Sequence, residues 1–336
     1  MTARVLVAGE TLIDFIPDRP GSLGEVETFD RRAGGAPANV AVGLARLGEP
    51  PYFWTRLATD PFGEFLEDRL TAAGIPDRFI ERDPDAQTAL AFVTHDADAD
   101  RAFTFYRDET ADTQMQLGTV PDRVLDTVEW VHVGGVALSA EPTRTATFDL
   151  VERARVAGCT VSFDPNTRPE LWDDPSEREA VTADALADAD VVKTSEDDLT
   201  SEGELTELDA SSPKALARSI HERGPSIVFV TRGEEGALVS AELNGSEDSH
   251  PPSADPTVRR HSGFDVETVD TTGAGDAFLA GAISALLDVG DQPYNDRSLD
   301  DVLAFATAVA AISTTASGAI EALPRRDAVE RMIDEQ

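Results

Sequence analysis

The sequence predicts an α/β fold: a mostly parallel sheet with helices on both faces, plus a small separate β-sheet. Three observations carry this. Short apolar runs alternate with amphipathic segments along the chain. Several helix-like segments stop at a glycine. Two early stretches, Asp14 to Arg32 and Thr88 to Arg107, break the rhythm with β-like runs.

Val5 to Ala8 reads as the first strand. Ala38 to Leu47 reads as a helix with Val40, Leu44 and Leu47 on one face and Gly48 as its stop. A strand over Tyr52 to Leu57 and a helix over Glu64 to Ala73 follow, the latter ended by Gly74. Next come strand Trp130 to Val133, helix Pro142 to Ala157, strand Thr160 to Phe163 and helix Glu177 to Ala187. Strand Val191 to Lys193, helix Lys214 to Glu222 and strand Ile227 to Val230 continue the series. The interrupting runs, which include Ala89-Leu-Ala-Phe-Val and Ala102-Phe-Thr-Phe-Tyr, group together as a lid. Leu243 to Thr257, rich in Ser, Pro, Asp and Gly, reads as an exposed loop. There is no internal repeat.

Composition limits the possible functions. A chain of 336 residues with 41% hydrophobic content is long enough for a large core. No apolar run approaches the ~20 residues that span a bilayer, and the first residues do not resemble a signal peptide. Cys159 is the single cysteine, so no internal disulfide forms, and no Cys/His cluster has metal-ligand spacing. These features predict a cytoplasmic protein. The formal charge is −36, from 64 acidic and 28 basic residues, and the only lysines are Lys193 and Lys214. Self-repulsion on that scale disfavours a compact chain in dilute buffer and is screened in concentrated salt. The expectation is a halophilic protein of a salt-accumulating cell. The lack of a basic face argues against a nucleic-acid partner, and the lack of a long apolar run against a membrane one.

The strongest chemical signal is Asp270-Thr-Thr-Gly-Ala-Gly-Asp276, followed by an apolar helix from Ala277 to Val289. Gly273 and Gly275 let backbone N–H groups converge at a helix N-terminus, where anions bind. Asp276 in that first turn would repel a phosphate unless a hydroxyl lay between them, donating to the carboxylate and facing the phosphoryl group. The alternative is a plain N-terminal turn with a favourable aspartate. No Walker A pattern occurs.

Gly34-Gly35-Ala36-Pro37-Ala38-Asn39 permits close backbone approach at a second helix start, with Asn39 offering amide contacts, or is merely a turn into a helix. Asp14, after the first strand, falls at the expected rim of the parallel sheet, where ligands bind. Asp164-Pro-Asn-Thr-Arg168 follows another strand, and Arg107 ends the strand Phe103-Thr-Phe-Tyr. Lys193-Thr-Ser-Glu-Asp-Asp198 and Thr231-Arg-Gly-Glu-Glu-Gly236 each follow a strand; they suit phosphate or ribose but are also ordinary connections. The five histidines pair with no Ser or Cys, so a hydrolase triad has no support. Trp54, Trp130 and Trp172 read as core or cleft-wall residues.

Together these blocks resemble the ribokinase-like, or PfkB, family of carbohydrate kinases over essentially the whole chain. GGAPANVAVGLARLG (34–48) is similar to the family's first signature and VDTTGAGDAFLAG (269–281) to its second. The resemblance implies a three-layer α/β/α sandwich with a β lid, that is, one kinase domain over 1–336 with lid segments at about 12–33 and 88–108. It further implies ATP and Mg²⁺, an anion hole from Gly273, Ala274 and Gly275, and Asp276 as catalytic base. A monovalent cation, K⁺, near Asp270 and Thr272, and a homodimer through the lid, are also implied.

Within the family, FYRDETAD (105–112), FDPNTRPELW (163–172) and GAIEALP (318–324) resemble fructokinases. Carried over by position, Asp14, Gly34, Gly35, Asn39, Phe103, Arg107 and Arg168 hold the sugar. Lys193, Ser195, Thr231, Arg232, Gly233, Gly236 and Thr307 approach ATP, and Asp198 meets Mg²⁺ through water. Two departures stand out. Ser195 to Asp198 replaces the family's Asn-x-x-Glu, and Thr307 stands where many relatives have Asn. The expected reaction is transfer from ATP to a fructose hydroxyl. The alternative substrate is 2-keto-3-deoxygluconate, its carboxylate clamped by Arg107 and Arg168. A nucleoside kinase or a non-catalytic sugar-binding regulator is less favoured, since a binder has no use for Asp276.

Overall fold

The computed structural model describes residues 3–95, 101–195, 198, 208–242, 255–290 and 295–335. Its first half contains strands β1 (Val5–Ala8), β2 (Leu12–Pro17), β3 (Phe29–Gly34), β4 (Tyr52–Ala58), β5 (Ile80–Asp83), β6 (Leu90–His95) and β7 (Arg101–Tyr106). Helices α1 (Ala36–Arg46), α2 (Pro61–Ala72) and α3 (Asp122–Leu125) lie among and after them. There follow β8 (Trp130–Gly134), α4 (Thr143–Ala157), β9 (Thr160–Asp164), α5 (Pro175–Asp188), β10 (Val191–Ser195) and α6 (Pro213–His221). The chain continues through β11 (Ile227–Thr231), β12 (Ala237–Ala241), β13 (Thr257–His261), α7 (Ala274–Val289), α8 (Asp296–Ser313) and α9 (Arg326–Asp334).

Nine strands form one sheet in the order β13-β12-β11-β10-β9-β8-β1-β4-β5. From β11 to β5 every pairing is parallel, whereas β12 runs antiparallel to both its neighbours. The side chains of each strand alternate between two apolar layers. Val5 and Val7 join Phe53, Phe229 and Val239 beneath α1, α7 and α8. Leu6 and Ala8 join Trp54, Val131, Phe163 and Val228 beneath α4 and α6. Strands buried on both faces read as continuous apolar runs, which is why the parallel sheet was legible.

Every expected strand and helix of the α/β series is present, with ends shifted by up to about three residues. Expectation gave no element to β5, β12, β13, α3, α8 or α9. Of the loop expected over Leu243 to Thr257, residues 243–254 lie outside the described residues.

The two interrupting stretches pair in a separate four-stranded sheet, β3-β2-β6-β7. β2 runs parallel to β6 and antiparallel to β3. Phe15 stacks on Phe92 at 4.7 Å on one face. Asp14, the next residue along β2, therefore points to the other. Asp14, expected at the head of the first lid stretch and on the ligand side past the first strand, lies within a strand of the small sheet and within electrostatic reach of Arg168 and Asp276. The chain leaves β1 through only Gly9, Glu10 and Thr11 before pairing there.

The charge excess has a measurable consequence. Arginines are consumed in surface pairs such as Arg4–Glu129 at 2.8 Å and Arg153–Asp149 at 2.8 Å, and with 64 acidic against 28 basic residues most carboxylates have no cation to pair with. Raising KCl from about 0.1 M to about 2 M, which shortens the Debye length from ~10 Å to under ~3 Å, should raise the thermal unfolding midpoint by at least roughly 5 °C. A melting series in KCl checks this; a flat midpoint would remove the role assigned to charge.

Candidate active site

The parallel strands β1, β8, β9, β10 and β11 all point their carboxyl ends at one edge. The chain runs from β1 to β4 and β5 on one side, then returns to β8 on the other, so a topological switch lies between β1 and β8. Ligands bind outside such a switch. Two helix N-termini, those of α1 and α7, reach the same place.

Both helices start at glycine, Gly35 and Gly273, and neither has a side-chain cap. Gly35 has φ 102° and Gly273 φ 74°, backbone that L side chains rarely adopt. By contrast α2 is capped by Asp60, whose carboxylate accepts from the Phe62 and Gly63 amides at 3.0 and 2.8 Å. An uncapped first turn leaves amide N–H groups for a ligand, and the macrodipole makes that ligand an anion. A Cβ on Gly275 would lie 2.8 Å from Lys193 Nζ, and one on Gly273 would lie 2.6 Å from the Ala319 Cβ. Ala274 follows in the same turn, where its amide bonds the Thr271 carbonyl at 3.2 Å. The turn is fixed from below by Asp270. One of its oxygens accepts from the Thr272 amide and hydroxyl at 2.9 and 2.6 Å, and the other from the Gly318 amide at 3.0 Å.

Asp276 is buried, and its Oδ2 accepts from Asn39 Nδ2 at 2.7 Å. This bond ties the first turn of α7 to the first turn of α1, across 237 residues of sequence. Burial pushes the Asp276 carboxyl up to about 6, against the Asn39 hydrogen bond. Such a group is a carboxylate at neutral pH, yet basic enough to take a proton. Asp14 is pushed up to about 7 by burial, opposed by Arg168. Its Oδ2 would lie 1.9 Å from a Cβ on Gly34, so a side chain there would push the Asp14 carboxyl out of place.

Lys193 Nζ lies 3.1 Å from Asp164 Oδ2 and 4.0 Å from Asp198 Oδ2. Burial works against its charge, but Asp164, Asp198 and Asp276 outweigh that and hold the ammonium above its ordinary range. Burial likewise raises Asp164, with Lys193 opposing. A fixed cation thus stands beside the uncapped turn. Asp198 and Ser195 close a reciprocal pair: the Ser195 amide donates to Asp198 at 3.1 Å, and the Asp198 amide to the Ser195 hydroxyl at 3.0 Å. Glu196 and Asp197 of that segment lie outside the described residues.

The remaining expected residues divide in two. Arg168 lies over the Phe103 ring at 4.9 Å, which links β7 of the small sheet to the turn after β9. Arg107 is buried instead of solvated: its Nε pairs with Asp112 and its Nη1 donates to Ser139 at 2.7 Å. Thr231 lies beside Ser195 at the ends of β11 and β10, its hydroxyl on the Thr194 carbonyl at 3.3 Å. Arg232 pairs with Glu235, and Gly233 and Gly236 make the turn into β12. A Cβ on Gly236 would lie 2.0 Å from the His261 carbonyl, which gives this glycine a structural reason of its own. Thr307 is buried in α8 with its hydroxyl on the Leu303 carbonyl at 2.7 Å. The contacts described for these last residues run within their own turns and strand ends. Glu10 and Asp112 belong to the cluster but were not singled out, and Asp164 was named only as the start of the segment Asp164 to Arg168; a charged residue two positions past the apolar run Val5 to Ala8 was the available signal for Glu10.

The family described as pfkB family carbohydrate kinase matches residues 2–326. The fructokinase of Klebsiella pneumoniae is 38% identical over 333 residues, 99% of this chain and all of that protein. The fructokinase of Xylella fastidiosa, solved with bound ATP, superposes with a TM-score of 0.81 at 31% identity, covering 99% of both chains. That of Vibrio cholerae O395, solved with fructose, ADP and potassium ion, gives 0.81 at 34% identity, covering 99% of this chain and 98% of the other. The family model spans nearly the whole chain and these relatives cover it from end to end, so the chain belongs to the pfkB family of carbohydrate kinases.

Proposed function

We propose that the protein is an ATP-dependent fructokinase. The observation that carries the chemistry is Asp276: a buried carboxylate, oriented by Asn39, in the first turn of an uncapped helix and beside a buried ammonium. The sugar hydroxyl lies between that carboxylate and the γ-phosphoryl group of ATP. Its oxygen attacks phosphorus as its proton passes to Asp276, and the bond from phosphorus to the β-phosphate bridging oxygen breaks, releasing ADP. The amides of the Gly273 to Gly275 turn, that of Ala274 by giving up its 3.2 Å bond to the Thr271 carbonyl, and the Lys193 ammonium would take the negative charge on the transferred group.

Mg²⁺ fits the donors present. It keeps most of its waters and needs only a carboxylate or two besides phosphate oxygens. Asp198, with Asp164 beside it, meets that requirement without a protein cage, and Mg²⁺ would there neutralise phosphate charge. A potassium ion belongs to this reading beside Asp270 and Thr272, whose turn supports the glycine loop. The small sheet acts as a lid on one kinase domain and as the contact of a homodimer in the cytoplasm.

Fructose is favoured over an acidic sugar by the charges around the site. Arg107 already shares its charge with Asp112, which leaves less of it to attract a substrate carboxylate. Glu10, Asp14, Asp164 and Asp276 are further buried acids close by. An ADP-release assay in molar KCl with fructose, 2-keto-3-deoxygluconate, ribose and adenosine tests this. Fructose should give the highest kcat/KM by at least about tenfold, equivalent to ~1.4 kcal/mol in transition-state binding. Preference for any of the other three would overturn it.

A further inference from the structure

Three buried polar atoms near Asp276 have no hydrogen-bond partner: Glu10 Oε2, Asn39 Oδ1 and Arg107 Nη2. Nearly all buried polar atoms in folded proteins are paired, so such a group calls for a reason. Here they come from different parts of the chain and share one neighbourhood. Glu10 lies two residues past β1 at the switch point, and its backbone carbonyl would lie 2.6 Å from a Cβ on Gly35, the residue that starts α1. Asn39 in the first turn of α1 holds Asp276 with its other amide atom. The Glu10 carboxyl is within electrostatic reach of Arg107, Asp112 and Asp276.

The donors and acceptors are complementary. Arg107 Nη2 only donates, Asn39 Oδ1 only accepts, and a carboxyl takes either part according to its protonation. Sugar hydroxyls, each able to donate and accept, satisfy such a set; an apolar ligand leaves it unpaired at a cost. The other atoms of Arg107 are committed to Asp112 and Ser139, which fixes Nη2 in place.

We propose that Glu10 is a sugar-recognition residue, its carboxyl binding a hydroxyl of the substrate other than the one phosphorylated, with Arg107 Nη2 as the second partner of that hydroxyl. This rests on the site taking a sugar, as read above. Burial supports the assignment by pushing the Glu10 carboxyl up to about 8, opposed by Arg107, so that it is able to donate as well as accept near neutral pH.

The test is steady-state kinetics with fructose and its monodeoxy analogues on the wild type, Glu10→Gln and Glu10→Leu, with circular dichroism as the check on folding. Glu10→Leu should raise the fructose KM by about 10- to 100-fold, with kcat and the ATP KM within roughly threefold of wild type. Glu10→Gln, which keeps shape and part of the hydrogen bonding, should raise the fructose KM by only about three- to tenfold. One monodeoxy fructose should be a poor substrate for the wild type and lose that penalty in both variants. A fructose KM within twofold of wild type in every variant that folds overturns the proposal. So does an equal loss for fructose and all its deoxy analogues, because that pattern belongs to a structural role. Absence of fructose turnover in the wild type would instead sink the fructokinase reading, and is seen before any variant is made.

Discussion

Replacing Asp276 with asparagine should lower kcat by about 10²- to 10⁴-fold while leaving fructose binding nearly unchanged, the size expected when a positioned base is lost. The amide keeps the shape and the contact to Asn39 but cannot accept the hydroxyl proton. The pH profile gives a second reading. Because burial raises the free carboxyl to about 6, wild-type kcat/KM should fall as pH drops through about 6, and not through the ordinary aspartate range near 4. The variant should be flat there. The stability consequence has the opposite sense. A carboxyl whose folded-state pKa is raised binds its proton more tightly in the native state, so its contribution to stability is greatest at low pH. That contribution is lost as pH rises through about 6. Asp276→Asn is therefore expected to be at least as stable as wild type at pH 8. Near-wild-type turnover in this variant would remove Asp276 from the base role.

Lys193→Met should have the largest effect on stability. It leaves Asp164 buried with no cation, and breaking a buried pair from one side costs about 3–5 kcal/mol. The double variant Lys193→Met/Asp164→Leu removes both charges and should recover most of that loss. Activity should not return with it, because the ammonium also stands beside Gly275, where the proposed reaction would put the transferred phosphate. Denaturant unfolding of the three proteins, read together with kcat, separates the two roles. Recovery of turnover in the double variant would confine Lys193 to a structural one.

The legible part of this fold was the part built from repeated, doubly buried strands. β1, β8, β9, β10 and β11 carry runs of Val, Ile and Phe bounded by polar turns, and their periodicity contrasts with that of the helices between them. β12 was missed because Ala-Leu-Val-Ser-Ala has no alternation and small side chains, so it does not differ from a short buried helix segment. β5 is an edge strand of four residues ending Glu-Arg-Asp, too polar to read as sheet. The grouping of the small sheet was legible because both of its hairpin-like stretches interrupt the same rhythm.

At the site, the residues tied to local motifs were found: the glycine turn, Asp276, Asn39 and Lys193. Glu10 and Asp112 were not, since their importance comes from what Arg107 faces after folding, and no spacing along the chain encodes that. Asp14 was legible in two ways, as the head of the first lid stretch and as an acid shortly after β1, and it lies in β2 within reach of Arg168 and Asp276.

The burial of Lys193 has a practical consequence. Lys214, on the exposed side of α6, is the other lysine of the chain. Amine-directed reagents therefore find a single accessible side-chain target in the folded protein, remote in sequence from the catalytic turn. A dye or a solid support attached through that amine would come with a defined stoichiometry and orientation, which few enzymes of this length allow.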